Sequence, residues 1–125
     1  MRSLTCLLLL VAGCSTVHSA SDYDNTAKFT GYTTFALKGR QPASPISAAI
    51  QAELQRKGFE LVSDPESADF VVDFTQGATA RAGVLSIDFF DQRTHRPVWH
   101  GWSKEEYSQQ TVRDILSWFP PGHTQ

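Results

Sequence analysis

The chain has 125 residues, of which 41% are apolar, 11% aromatic and 19% charged, and its formal net charge is -2. That is enough for one small globular domain; it is too apolar for a disordered chain, and a mean hydropathy of -0.26 excludes a polytopic membrane protein. The eleven Lys and Arg are scattered among thirteen Asp and Glu, so no basic patch is available to neutralise phosphates and no nucleic-acid partner is expected.

The N-terminus runs from a positive end (Met1, Arg2) through an apolar stretch, Leu4 to Val11, to the small residues Ala12 and Gly13 and then Cys14. This is the order of a secretory signal. A helix over residues 4–13 is about 15 Å long, half the ~30 Å of a bilayer's hydrocarbon core, so it directs export and does not span. Val11-Ala12-Gly13-Cys14 resembles the lipobox of bacterial lipoproteins, which implies cleavage between Gly13 and Cys14 and acylation of Cys14 with palmitate or a similar chain. Ordinary secretion with a cut after Ala20 is the alternative, but it places His18 where signal peptidase takes a small residue. Each buried methylene contributes ~0.8 kcal/mol, so two or three acyl chains make a durable membrane anchor. Ser15 follows the cysteine; by resemblance to Gram-negative sorting, a residue other than aspartate there implies the outer membrane, with the domain facing the periplasm. Cys6 leaves with the signal and Cys14 takes lipid, which leaves no thiol for a disulfide.

The expected organisation is therefore a signal peptide over 1–13, lipidated Cys14 with a tether over 14–22, one domain over 23–121 and a tail over 122–125. The tether's far end has the composition of an edge strand. Asn25 to Thr30 reads as a turn or short helical connection, and the aromatic and β-branched run ending at Leu37 as a strand. After a loop, Ser44 is an N-cap, Pro45 the first helical residue and Gly58 the left-handed terminator of a helix. Its apolar stripe is Ile46, Ala49, Ile50 and Leu54, with Gln51, Glu53, Gln55 and Arg56 outside. A short strand from Phe59 to Val62 and a turn at 63–66 follow. The next strand begins at Phe70 and sends Phe70, Val72 and Phe74 to the helices and Val71, Asp73 and Thr75 the other way.

Residues 76–83 read as a loop, and Val84–Asp91 with Pro97–Ser103 as a β-hairpin. Pairing Asp91 with Pro97 sets Asp88 opposite His100 and puts Trp99 on the face of Ile87 and Phe89. Phe90, Val98 and Trp102 then fall on the opposite face, and a one-residue slip exchanges the two. Ser108 caps a last helix carrying Val112, Ile115, Leu116 and Phe119, which Pro120-Pro121 ends.

In order, Tyr23-Asp24 with Phe29, Tyr32, Thr34 and Phe35, then Lys57-Gly58-Phe59, Ala68-Asp69-Phe70, Gly83 to Asp91, Thr94, Val98-Trp99-His100-Gly101, Ile115-Leu116 and Phe119-Pro120-Pro121 resemble the bacterial lipoprotein family catalogued as domain of unknown function 4136. The resemblance covers nearly the whole mature chain. His100 stands where the family often has Arg and Leu37 where it often has Trp, and the link before the last helix is short. The resemblance implies an α+β two-layer sandwich, a mostly antiparallel sheet of about four to five strands with two helices on one face, and it implies no activity.

Histidines 18, 95, 100 and 123 show neither the i, i+4 spacing of a metalloprotease nor pairing with cysteines, so no metal or other cofactor is expected. No nucleophile elbow or phosphate loop occurs. Asp73, Asp88 and His100 converge on the face away from the helices; a carboxylate beside an imidazole can do acid/base work, but on an open sheet it is more commonly a cross-strand ion pair. Together with Phe90, Val98 and Trp102 these residues form the candidate binding face, unless the tether or the Lys104–Gln110 link folds over it. The functional expectation is a non-catalytic envelope lipoprotein that binds a protein, lipid or small ligand. The alternatives are a self-associating structural protein and an enzyme built on Asp88 and His100.

Overall fold

The computed structural model describes residues 19–39, 44–77 and 85–121. The expected signal segment with Gly13 and Cys14, the part of the expected 76–83 loop from residue 78 on, and the expected 122–125 tail lie outside the described residues. Strands β1 (Ser19–Tyr23), β2 (Thr34–Leu37), β3 (Glu60–Leu61), β4 (Phe70–Gln76), β5 (Leu85–Asp91) and β6 (Pro97–Ser103) form one open sheet in the order β1-β6-β5-β4-β2-β3. Helices α1 (Pro45–Arg56) and α2 (Gln109–Leu116) pack together on one face. The fold is the expected α+β layer pair, with six strands where four or five were expected. The sheet is mixed: β1–β6, β6–β5 and β5–β4 are antiparallel, while β2 runs parallel to both β4 and β3. It also reaches back to Ser19, so part of the segment assigned to the tether is an edge strand.

Helix α1 forms where its ends are satisfied. The Ser44 hydroxyl accepts from the Ser47 N–H at 3.2 Å and Pro45 supplies a fixed φ at the first position. At the other end Gly58 takes φ +104°, its N–H reaches the Gln55 carbonyl and the Phe59 N–H reaches that of Leu54, both at 3.0 Å; this pair of bonds is a Schellman closure. The Ser108 hydroxyl likewise accepts from the Thr111 N–H at 3.0 Å and starts α2. Glu53, expected outside the apolar stripe, is buried between the helices, where Arg56 donates to both its carboxylate oxygens and Arg113 of α2 approaches to 3.7 Å. The Arg56 hydrogen bonds hold its carboxyl below the usual range against the opposing effect of burial.

The core lies between the layers. Ile46, Ile50 and Leu54 of α1 and Val112, Ile115 and Leu116 of α2 close over Phe70, Val72, Leu85, Ile87, Phe89 and Trp99 of the sheet. Phe119, just past α2, is fully buried and meets the rings of Phe29, Phe59, Phe70, Phe89 and Trp99 at 4.6–5.8 Å. Tyr107 packs on the helical side and donates to the Pro45 carbonyl, so the link before α2 does not lie over the other sheet face.

Candidate binding face

The face turned away from the helices is ordered by strand register. Asp73 of β4 pairs with Asp88 of β5, Asp88 with His100 of β6, and His100 with Asp22 of β1. With strands ~4.8 Å apart, this row crosses roughly 14 Å of sheet. Two carboxylates directly opposite one another repel, and each is met by a cationic or protonatable neighbour. Lys38, just past β2, places Nζ 3.4 Å from Asp73, and His100 Nδ1 lies 2.5 Å from Asp88 Oδ1. The imidazole is also stacked on the Trp102 indole at 5.0 Å and 28°. Asp88 holds the ring at its edge and Trp102 at its face, which fixes its orientation. The side chains of Asp73, Asp88 and His100 are about a third exposed (37%, 29% and 37%).

Phe90 stands beside this row, opposite Val71, and Trp102 stands on its other side between Ser86 and Ala20. The structure thus brings together Asp73, Asp88, Phe90, His100 and Trp102 as expected, and separates Val98 from them. Phe90, not Asp91, lies opposite Pro97, and the register shifts by one between that pair and Phe89–Trp99. Val98 is the extra residue of this bulge, and a bulge sends two successive side chains toward the same side. Val98 therefore joins the core beside Trp99 and is only 4% exposed.

Two members of the row, Asp22 and Lys38, were missed. Asp22 becomes visible only when Ser19–Tyr23 is paired with β6, and Lys38 only when β2 is placed parallel beside β4. A second feature went unread: a cleft of about 760 Å³ at the turn end of the sheet, with Asp24, Tyr32, Asp69, Asp91, Arg93 and Arg96 in its wall. Most of its carboxylates are occupied. Asp69 accepts from the Thr33 and Thr34 N–H groups at 2.7 and 3.0 Å, and Asp91 from the Tyr32 hydroxyl at 2.6 Å and the Thr94 N–H at 2.9 Å. Burial acts to raise both acids, but these donors outweigh it and leave both below the ordinary range, while burial and the Asp91 bond push the Tyr32 hydroxyl upward. The only sequence signal for this brace is an Asp three residues before a Thr in the hairpin turn.

Residues 19–81, half of the chain, match the family described as Domain of unknown function (DUF4136). The chain belongs to this family. A DUF4136 family protein from Bacteroides thetaiotaomicron VPI-5482 shares the fold at a TM-score of 0.56 with 14% identity, over 79% of this chain and 88% of that one. Two structures of the PelC dodecamer from Paraburkholderia phytofirmans align over 79% of this chain and 93% and 94% of theirs, with TM-scores of 0.49 and 0.48 and identities of 13% and 11%. No curated protein matches the chain. Membership in DUF4136 fixes the architecture and leaves the activity open.

Proposed function

We propose that this DUF4136 protein is a lipid-anchored, non-catalytic accessory component of the bacterial cell envelope, held at the outer membrane through Cys14, facing the periplasm, and binding a partner on its open sheet face. The observation that carries the binding role is the acidic row of Asp22, Asp73 and Asp88, oriented by Lys38 and His100 and flanked by the Trp102 and Phe90 rings. Fixed carboxylates beside aromatic surfaces suit a partner that presents cationic or hydrogen-bond-donating groups. The anchoring role is supported by the Val11-Ala12-Gly13-Cys14 sequence and by an ordered sheet that starts soon after it, at Ser19.

The test has two parts. Cells fed labelled palmitate should incorporate label into the wild-type chain and not into Cys14→Ser, which should leave the membrane fraction. The lipidated protein should then retain a stoichiometric envelope partner that the double variant Asp88→Ala, His100→Ala releases. Identical fractionation of Cys14→Ser rejects the anchor, and equal retention by the double variant rejects the face. A second reading, self-association, is favoured by β1, a sheet edge bonded on one side only to β6; it predicts concentration-dependent oligomers by size exclusion.

A further inference from the structure

Ser19 lies five positions after Cys14. A chain extends at most ~3.6 Å per residue, so the Ser19 Cα stays within roughly 18 Å of the Cys14 Cα whatever path the chain takes. The side chain that meets Ser19 is Trp118, whose indole N–H donates to the Ser19 hydroxyl at 3.1 Å. Val112, Ile115, Leu116 and Phe119 around it are all buried, yet Trp118 points outward and is 38% exposed. Among the described residues only one other large apolar side chain is exposed, Tyr23 at 47%, and it stands at the far end of β1, roughly 14 Å further along the strand.

We propose that Trp118 docks on the phospholipid headgroup interface and sets the orientation of the domain, with the start of β1 and the end of α2 toward the membrane. This rests on the acylation of Cys14 and adds to it a second, protein-borne contact with the bilayer. The residue type fits the place: indole is a broad apolar ring with one polar group, the combination that settles at the membrane–water boundary. Here Ser19 already satisfies that polar group, so the ring enters the interface without leaving a donor unpaired. The occupant is a lipid surface because the short span to Cys14 keeps this end of the domain within reach of the headgroups and confines it there.

The experiment uses the full lipidated chain reconstituted into vesicles of phosphatidylethanolamine and phosphatidylglycerol, with and without bromine on the acyl chains. The mass of the acylated N-terminal peptide is measured on the same preparation. Brominated lipid should quench the tryptophan fluorescence of the wild type; Trp118→Phe should lose most of that quenching, and Trp102→Phe should keep it. If no acyl mass is found on Cys14, the anchor and this inference fall together. If the protein is acylated but Trp118→Phe is quenched as strongly as the wild type, the docking alone falls. If Trp118 is shielded from aqueous acrylamide while bromine leaves its emission unchanged, a protein neighbour covers it, which also overturns the proposal.

Discussion

Asp69 and Asp91 show how single side chains hold the turn end of the sheet. Asp69, just before β4, binds the backbone at the entrance of β2, and Asp91 closes the β5–β6 turn while receiving the Tyr32 hydroxyl. Both carboxyls are depressed in the folded chain. The unfolded chain, whose aspartates titrate near ~3.9, therefore binds more protons than the folded one between that value and the lower folded pKa. Their contribution is fully present above about pH 5 and is lost as the pH falls through the folded values. Urea midpoints measured from neutral pH downward should fall on the acid side. Asp69→Asn should lower stability at neutral pH by about 1 kcal/mol, given its partial exposure, and flatten the acid limb; an unchanged acid limb would show that these bonds do not bear on stability.

At the scale of elements, the approach of α2 to β6 depends on Gly101. A Cβ there would run into the Trp99 ring and stand 2.7 Å from Ile115 Cγ2. Both neighbours are buried, so neither side chain can swing away. Gly101→Ala should cost about 1–3 kcal/mol in urea unfolding, with far-ultraviolet circular dichroism unchanged. This close approach was not legible in the sequence, where Gly101 reads only as a weak strand residue. The caps were legible, because Ser44, Pro45, Gly58 and Ser108 act through their own backbone neighbours. So were the inward residues of β4 and β5, Phe70 and Val72 in one and Leu85, Ile87 and Phe89 in the other, which recur at every second position. Alternation fails at Val98, because a one-residue bulge has no side-chain signature and inverts the parity of all that precedes it in the strand. Glu53 was misassigned for a related reason: its burial depends on Arg56 and Arg113 arriving from two helices, a tertiary arrangement that α1 alone does not encode.

At the scale of the molecule, both cysteines of the chain precede the sheet, at positions 6 and 14, so no disulfide staples one part of the domain to another. Thermal unfolding of the protein should be the same with and without reductant; a lower midpoint under reducing conditions would point to a stabilising disulfide between chains. The acidic row was partly legible because Asp73, Asp88 and His100 lie on three successive antiparallel strands. Its ends were not, since they belong to β1 and to the parallel crossover between β2 and β4. The placement of β1 also has a mechanical side. Its five residues pair in sequence with β6, from Ser19–Ser103 to Tyr23–Trp99. A pull along the strand from its first residue loads all five pairs in shear at once, so the domain resists a force applied at Ser19 along β1 far better than an edge peeled open from the side.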